Sequence, residues 1–222
     1  MNKAACLLVV ALAGCASTPT SNFDKIDAQT AQALQGVGML SVEVMPGKEF
    51  AHYSNAEQAM LASGIMFGAI GGAIGAASAN ASANRRGGAL MAAAGMTDPS
   101  LAVADKLRLR LPAERMTTHD ANIRLSLTTN HWVMQQGNVG YFVGMQVIDA
   151  PSSRVMTKGE CKYFRKAQEI GSTNEALLAD SAAGLKQEYD RAAEHCADFF
   201  ARTLFAVIGQ EAKTAANMPS DL

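Results

Sequence analysis

The sequence predicts an α+β fold, with an antiparallel sheet of about four strands, a C-terminal amphipathic helix and an inserted Gly/Ala-rich helical hairpin. Three observations lead to this prediction. Apolar and polar residues alternate in runs between residues 123 and 164, apolar residues recur at helical spacing from Asp180 onward, and a glycine-rich stretch free of charge separates these elements from an earlier strand. Of the 222 residues, we expect 36–222 to form one domain.

The sequence predicts one strand near the N-terminus of this domain, after a polar segment. The run VGMLSVEVMPG (residues 37–47) reads as a strand, because Val42 and Val44 alternate with polar residues and Pro-Gly ends the run. Residues 15–35 are small and polar and contain a short helical pattern, so we expect them to act mainly as a tether.

Three further strands are expected as an antiparallel meander. Apolar and polar residues alternate over residues 123–128, and two short turn sequences, QGN (136–138) and PSSR (151–154), separate the runs that follow. Gly140 and Gly144 lie inside the second run and predict a bulge or close packing there.

Two helices flank this meander in sequence. Asp98 is a favourable N-cap with Pro99 at the first helical position, and Pro112 is expected to end that helix. Ser172 and Glu175 form a capping-box pattern before the C-terminal helix. The predicted apolar stripe of that helix comprises Leu185, Tyr189, Ala192, Cys196, Phe199, Leu204 and Ile208. Its predicted charged face comprises Lys186, Glu188, Asp190, Arg191, Glu194 and Arg202.

The stretch GIMFGAIGGAIGAASA (residues 64–79) sorts its residues by size around a helix. At about 100° per residue, bulky apolar residues share one side, and the glycines lie within about 100° of arc on the other. These helix-contact glycines are Gly64, Gly68, Gly71, Gly72 and Gly75. Five glycines destabilise a helix by roughly 4–5 kcal/mol relative to alanine, so we expect the smooth face to pack closely on another backbone.

The charge-free stretch between Glu57 and Arg85 is long enough to cross a bilayer. A single crossing would separate the first predicted strand from the others, so we expect a helical hairpin over residues 56–97 with Arg85 and Arg86 at its tip. Three alternatives remain open at this point. The hairpin embeds in a membrane or forms oligomers, it packs on its own domain, or the segment is mobile and of low complexity.

We expect the first residues of the chain to be a targeting segment. Lys3 precedes ten apolar residues, which are too few to span a membrane, and the sequence Leu-Ala-Gly-Cys follows at residues 12–15. This ending resembles the lipobox of bacterial lipoproteins. The resemblance implies that residues 1–14 are a cleaved signal peptide, that Cys15 carries acyl chains which anchor the protein in a membrane, and, because Ala16 follows, that this is the outer membrane.

The remaining cysteines agree with an oxidising compartment. If Cys6 leaves with the signal and Cys15 carries lipid, only Cys161 and Cys196 remain. In such a compartment two cysteines tend to pair, so we expect a disulfide between the terminal helix and a strand. Two separate buried thiols are the alternative.

Two further resemblances concern the domain itself. The glycine-rich region resembles the glycine-zipper segments of bacterial envelope lipoproteins. The sequence QGNVGY (residues 136–141) is similar to a hairpin of YajG-type outer-membrane lipoproteins, in which a helix precedes the hairpin and a terminal helix closes the domain. That resemblance implies a shape and no activity.

The residues offer no recognisable catalytic, metal or nucleotide motif. The four histidines, at positions 52, 119, 131 and 195, lie in no metal-binding spacing, and no P-loop or GxSxG sequence occurs. Trp132 is expected to pack in the core rather than to hold a ligand. The chain has 19 basic and 20 acidic residues, and losing Lys3 with the signal leaves a net charge of −2, which gives no case for nucleic-acid binding.

We therefore expect a lipid-anchored envelope protein with a structural or interaction role, no enzymatic activity and no cofactor or metal. Its domain would face the periplasm, and the glycine-rich hairpin would contact a second copy or another envelope protein. The alternative is a periplasmic binding module that encloses a small apolar ligand or lipid between the sheet and the terminal helix.

Overall fold

A computed structural model describes residues 20–36, 38–54, 68–171 and 173–208. In chain order the strands are β1 (Asn22–Phe23), β2 (Leu40–Met45), β3 (Ala51–Tyr53), β4 (Ile123–Gln135), β5 (Asn138–Asp149) and β6 (Arg154–Arg165). The helices are α1 (Ala28–Gln35), α2 (Gly68–Ala94), α3 (Pro99–Arg108), α4 (Ala167–Ile170) and α5 (Asn174–Ile208), with a 3₁₀ turn at Ala113–Arg115. The α+β class is as predicted.

The six strands form one sheet in the order β1-β6-β5-β4-β2, and β3 pairs with β4 farther along. The antiparallel meander β4-β5-β6 is confirmed. The predictions of about four strands and of a wholly antiparallel sheet are wrong, because β2 and β3 both run parallel to β4. The chain passes through α2 and α3 before it reaches β4, and such a crossover lets strands pair in parallel.

The two glycines predicted in β5 serve close packing. A Cβ at Gly144 would lie 2.9 Å from Nδ2 of Asn130, which lies at an irregularity of the β4–β5 register. The Asn130 side chain crosses β5 at this point and donates to Oε1 of Glu160 on β6, at 2.8 Å. At Gly140 the nearest atom to a Cβ would be Cγ1 of Val133, at 3.1 Å.

Helix α5 packs on one face of the sheet and buries most of the predicted stripe. Leu185, Ala192 and Cys196 are fully buried, whereas Phe199 is half-buried and contacts the core. Glu188, which we placed on the charged face, is instead 2% exposed. It is buried because its carboxylate receives hydrogen bonds from neighbouring side chains, which compensates for the loss of water.

The starts of α3 and α5 differ in how well the sequence predicts them. Asp98 caps α3 by accepting a hydrogen bond from the Ser100 amide at 2.8 Å, as expected. Ser172 of the predicted capping box lies outside the described residues. The Thr173 hydroxyl accepts from the Ala176 amide at 3.2 Å.

The predicted tether is partly wrong. Asn22 and Phe23 form β1 and pair with β6, and Leu34 of α1 is buried in the core. A Cβ at Gly159 would lie 2.1 Å from the Phe23 ring, so Phe23 packs directly on the backbone of β6. Residues 22–35 therefore belong to the domain, because four of their apolar side chains, those of Phe23, Ile26, Ala33 and Leu34, pack in or against its core.

The predicted hairpin tip is also wrong. Arg85 and Arg86 lie inside one continuous helix, α2, which extends from Gly68 to Ala94. Arg85 is exposed, whereas Nη2 of Arg86 donates to the backbone carbonyl of His52 in β3, at 2.8 Å. The two neighbouring arginines thus point to different environments, one to solvent and the other to β3, without a turn between them. The first limb of the predicted hairpin, residues 56–67, lies outside the described residues.

Candidate functional site

Helix α2 is the most unusual element of the fold, and it packs on β3 through small residues. Ala83 is fully buried and forms a small apolar cluster with Ala51 and Val133. One turn later, Gly87 meets the backbone of Phe50, where an added Cβ would lie 1.9 Å from the carbonyl oxygen. Ala79, one turn earlier, is 2% exposed. Small residues at a four-residue spacing thus let α2 approach β3 closely.

The face that carries these residues continues toward the N-terminus of α2. Followed back from Ala83 at about 100° per residue, it reaches three of the predicted contact glycines, Gly68, Gly72 and Gly75. Gly71 lies farther round the helix, and Gly64 lies outside the described residues. The structure thus places four of the five predicted glycines in one helix, and the part of their face near β3 is used within the chain itself.

From residue 77 to residue 92, the opposite side of α2 faces solvent and is also composed mainly of small residues. Its exposed positions include Ala77, Ala81, Gly88, Ala89 and Ala92, with Arg85 between them. The helix has 27 residues and is about 40 Å long. Within the described residues, no helix combines the length and apolar character that a membrane crossing requires.

The predicted disulfide is confirmed. Cys161 of β6 and Cys196 of α5 are bonded, with their Cα atoms 5.5 Å apart, and both cysteines are fully buried. The disulfide therefore fixes the terminal helix to a strand, as the position of Cys196 on the apolar stripe predicted. Cys15, the predicted lipidation site, lies outside the described residues.

A polar cluster that the sequence did not predict holds α5 to the end of β6. The buried carboxylate of Glu188 accepts hydrogen bonds from the Tyr163 hydroxyl at 3.0 Å and from Nη1 of Arg165 at 3.1 Å. Nη1 of Arg191 donates to the same group at 2.5 Å. Burial, followed by the charge of Glu188, raises the pKa of Tyr163 to about 12. Two features of the sequence indicate this cluster. Tyr163 and Arg165 are two residues apart on one strand and so share a face, and Glu188 lies at the spacing of the apolar stripe of α5.

Ion pairs join α3 and the turn after it to the charged side of α5. Lys106 lies 3.2 Å from Asp190 and 2.9 Å from Glu194. Arg110 pairs with Glu194 and, at 2.7 Å, with Asp198. The hydrogen bond from Lys106 is the main cause that lowers the pKa of Glu194. The two basic residues are four positions apart and face three acidic residues that are also four positions apart. These ion pairs hold α3 against α5.

The predicted binding space between the sheet and α5 is filled by side chains. Phe50, Trp132, Tyr141 and Tyr189 lie together in the core, with ring centroids 5.1–6.3 Å apart. Trp132 is 2% exposed, as expected for a core residue. The histidines remain dispersed, and no group of three or more histidine, cysteine or acidic side chains suited to a metal occurs among the described residues.

A cleft of about 1000 Å³ lies instead at the outer edge of β2. Ser41 and Arg124, which are paired in register, line the cleft together with Leu109 and Met116. No local sequence pattern indicates this cleft, because its lining comes from β2, β4, the end of α3 and two loops that only the fold brings together.

Comparisons with known proteins give little guidance. No family model matches the chain, and no curated protein matches it. Among solved structures, it is similar to a candidate lipoprotein of Caulobacter crescentus, with 14% identity, 55% of this chain and 98% of that chain covered, and a TM-score of 0.40. It is also similar to the PelC dodecamer of Paraburkholderia phytofirmans, with 12% identity, 79% of this chain and 97% of that chain covered, and a TM-score of 0.35. A lipoprotein of Neisseria meningitidis is similar with 11% identity, 69% of this chain and 99% of that chain covered, and a TM-score of 0.25. All three TM-scores are below 0.5.

Proposed function

We propose that the chain is a lipid-anchored protein of the bacterial envelope with a structural or interaction role. The structural observation that carries this proposal is the Cys161–Cys196 disulfide, because disulfides persist in secreted and periplasmic proteins and are rare in the cytosol. The N-terminal sequence supplies the second support, since residues 12–15 resemble a lipobox. Acyl chains on Cys15 would hold the domain at the outer membrane, facing the periplasm.

Replacement of Cys15 by serine tests the anchor. We expect the wild-type chain to fractionate with outer membranes and to incorporate a labelled fatty acid, and the Cys15→Ser chain to lose both properties. Cys6→Ser, which alters another cysteine near the N-terminus, is the matched control and is expected to behave as wild type. Retention of Cys15→Ser in the membrane fraction would mean that the protein has a different anchor.

We further propose that α2 mediates the interaction. Its small-residue face packs on β3 near Ala83 and Gly87, and by helical periodicity Gly68 and Gly72 extend that face toward the N-terminus. A second helix could approach a face of this kind closely enough for backbone contacts. The partner would be a second copy of the chain or another envelope protein.

Two paired variants separate a specific face from a general effect on the helix. Gly68→Leu with Gly72→Leu places bulky side chains on the proposed contact face, whereas Ala77→Leu with Ala81→Leu places them on the opposite side. Replacing glycine by leucine favours helix, and replacing alanine by leucine is nearly neutral, so neither variant should lose products through loss of helix. We expect cross-linking in intact cells to lose its products in the glycine variant alone. Equal products in the two variants would contradict the proposal.

A role without catalysis completes the proposal and rests on the lack of recognisable catalytic motifs in the sequence. The alternative of an apolar ligand held between the sheet and α5 is not favoured by the packing, because Tyr141, Tyr189 and Phe200 are buried in that space.

A further inference from the structure

We propose that the cleft at the β2 edge binds a small amphiphilic anion, whose carboxylate or phosphate group pairs with Arg124 while its apolar part lies against Leu109 and Met116. The inference starts from Arg124, which projects from β4 beside Ser41 of the edge strand. Its Nε atom is shielded from solvent and has no hydrogen-bond partner in the described part of the chain.

The state of Arg124 contrasts with that of the other arginine in the cleft. Arg108 donates from Nη2 to the Val42 carbonyl at 2.6 Å and pairs through Nη1 with Asp105, also at 2.6 Å. The guanidinium of Arg108 thus already has partners, one of which is a backbone carbonyl of the edge strand β2. A shielded donor without a partner is unfavourable in a folded protein, and a carboxylate or phosphate in the cleft can supply that partner in the planar, paired geometry that arginine favours.

The rest of the cleft indicates what the anion carries. Leu109 follows the last residue of α3 and is 86% exposed, more than any other large apolar side chain in the described residues. Met116 lines the same space. An apolar surface next to an unpaired cation is suited to a ligand with a hydrocarbon part and a charged head. The cleft volume of about 1000 Å³ lies at the upper end of small-molecule sites.

Two acidic residues, Glu43 and Asp120, line the cleft and limit which ligands fit. Glu43 lies on the same face of β2 as Ser41, two residues along the strand. Both carboxylates repel an anion, so the head group must pair directly with Arg124 while the apolar part lies against Leu109. This orientation makes both Arg124 and Leu109 necessary, and the test uses both.

The experiment titrates hexanoate, hexyl phosphate and 1-hexanol, by calorimetry, into the full chain carrying Cys15→Ser, so that no detergent is needed. We expect at least one of the two anions to bind tenfold or more tightly than hexanol. Which anion binds better distinguishes a carboxylate from a phosphate ligand. Arg124→Gln should weaken binding of the preferred anion tenfold or more, while Arg202→Gln, which removes an exposed arginine of α5, should change it less than twofold.

A second variant keeps the test decisive if Arg124→Gln disturbs folding. Leu109→Ser changes a side chain that is already exposed, so the fold should tolerate it, and we expect affinity for the preferred anion to fall threefold or more. The proposal is overturned if neither anion binds better than hexanol, if folded Arg124→Gln retains wild-type affinity, or if Leu109→Ser binds as wild type does. The outcome does not depend on membrane fractionation, so this inference and the proposed anchor can fail separately.

Discussion

Gly87 of α2 lies against the carbonyl oxygen of Phe50, so closely that a Cβ at position 87 would stand 1.9 Å from that oxygen. Its neighbour Gly88 is exposed, and a Cβ there would meet no atom within 4 Å. Two adjacent glycines in one helix therefore have different roles. Gly87 allows a helix to contact a strand backbone, whereas Gly88 has no packing role within the described fold.

This contrast predicts opposite effects for two identical substitutions. Gly87→Ala should lower the free energy of unfolding by about 2 kcal/mol or more, because the backbone of Phe50 must move to admit a methyl group. Gly88→Ala should raise it by up to about 1 kcal/mol, since alanine favours helix over glycine. Urea denaturation of both variants measures the difference. Equal effects would mean that α2 does not rest on Phe50.

Local pattern was sufficient to predict the meander, because alternation and short turns act between neighbours in sequence. It did not predict that β2 runs parallel to β4, since their pairing spans the whole of α2 and α3. Strand β3 has three residues, too few for any period to be visible. The predicted hairpin tip at Arg85 and Arg86 is wrong, because an arginine inside an unbroken helix can find a partner outside it, as Arg86 does at the His52 carbonyl.

The candidate sites also differ in whether they depend on local spacing or on distant parts of the chain. The position of Cys196 on an apolar stripe was readable from helical spacing, and so was the glycine face of α2. The cluster around Glu188 is not predictable from residue type, because a glutamate on a helix is expected in solvent and two of its partners here, Tyr163 and Arg165, come from β6. The Arg124 cleft depends on five separate parts of the chain, and no local pattern brings Ser41, Arg124 and Leu109 together.

The disulfide predicts a large effect of reduction. Cys161 and Cys196 are 35 residues apart in sequence, and on the chain-entropy model a crosslink of that length stabilises by about 3–4 kcal/mol. Cys161→Ala with Cys196→Ala should lower the free energy of unfolding by at least that amount, because two buried sulfurs are lost as well. Denaturation with and without reductant checks this, since the double variant should not respond to the reductant. A wild-type chain equally stable in both conditions would refute it.

The backbone break in α5 predicts a site where glycine stabilises. Ser181 is exposed and has a φ of 57°, between Asp180 and Ala182, which also have positive φ. The left-handed conformation costs an L-residue roughly 1–2 kcal/mol, whereas glycine adopts it freely. Ser181→Gly should therefore raise the free energy of unfolding by about 1 kcal/mol. Ala183→Gly, at an exposed helical position two residues later, should lower it by about the same amount. A loss of stability in both variants would argue against the left-handed turn.

Tyr163 predicts how stability falls at alkaline pH. Burial and the neighbouring Glu188 raise its pKa to about 12 in the folded chain, from an ordinary value of 10.0. Because the unfolded chain releases this proton first, the contribution of Tyr163 is complete below about pH 10 and disappears as the pH rises to about 12.

Tyr163→Phe lacks the hydrogen bond to Glu188 and should be about 1 kcal/mol less stable than wild type at neutral pH. Urea midpoints measured at about pH 8 and about pH 11.5 should show the wild-type advantage shrinking and then reversing, because the raised pKa of Tyr163 removes roughly 2 kcal/mol from wild type by the higher pH. Burial raises the pKa of Tyr141 and Tyr189 in both chains, so their effect cancels in the comparison. A gap that stays constant across this range would show that the Tyr163 hydroxyl does not titrate differently in the folded and unfolded states.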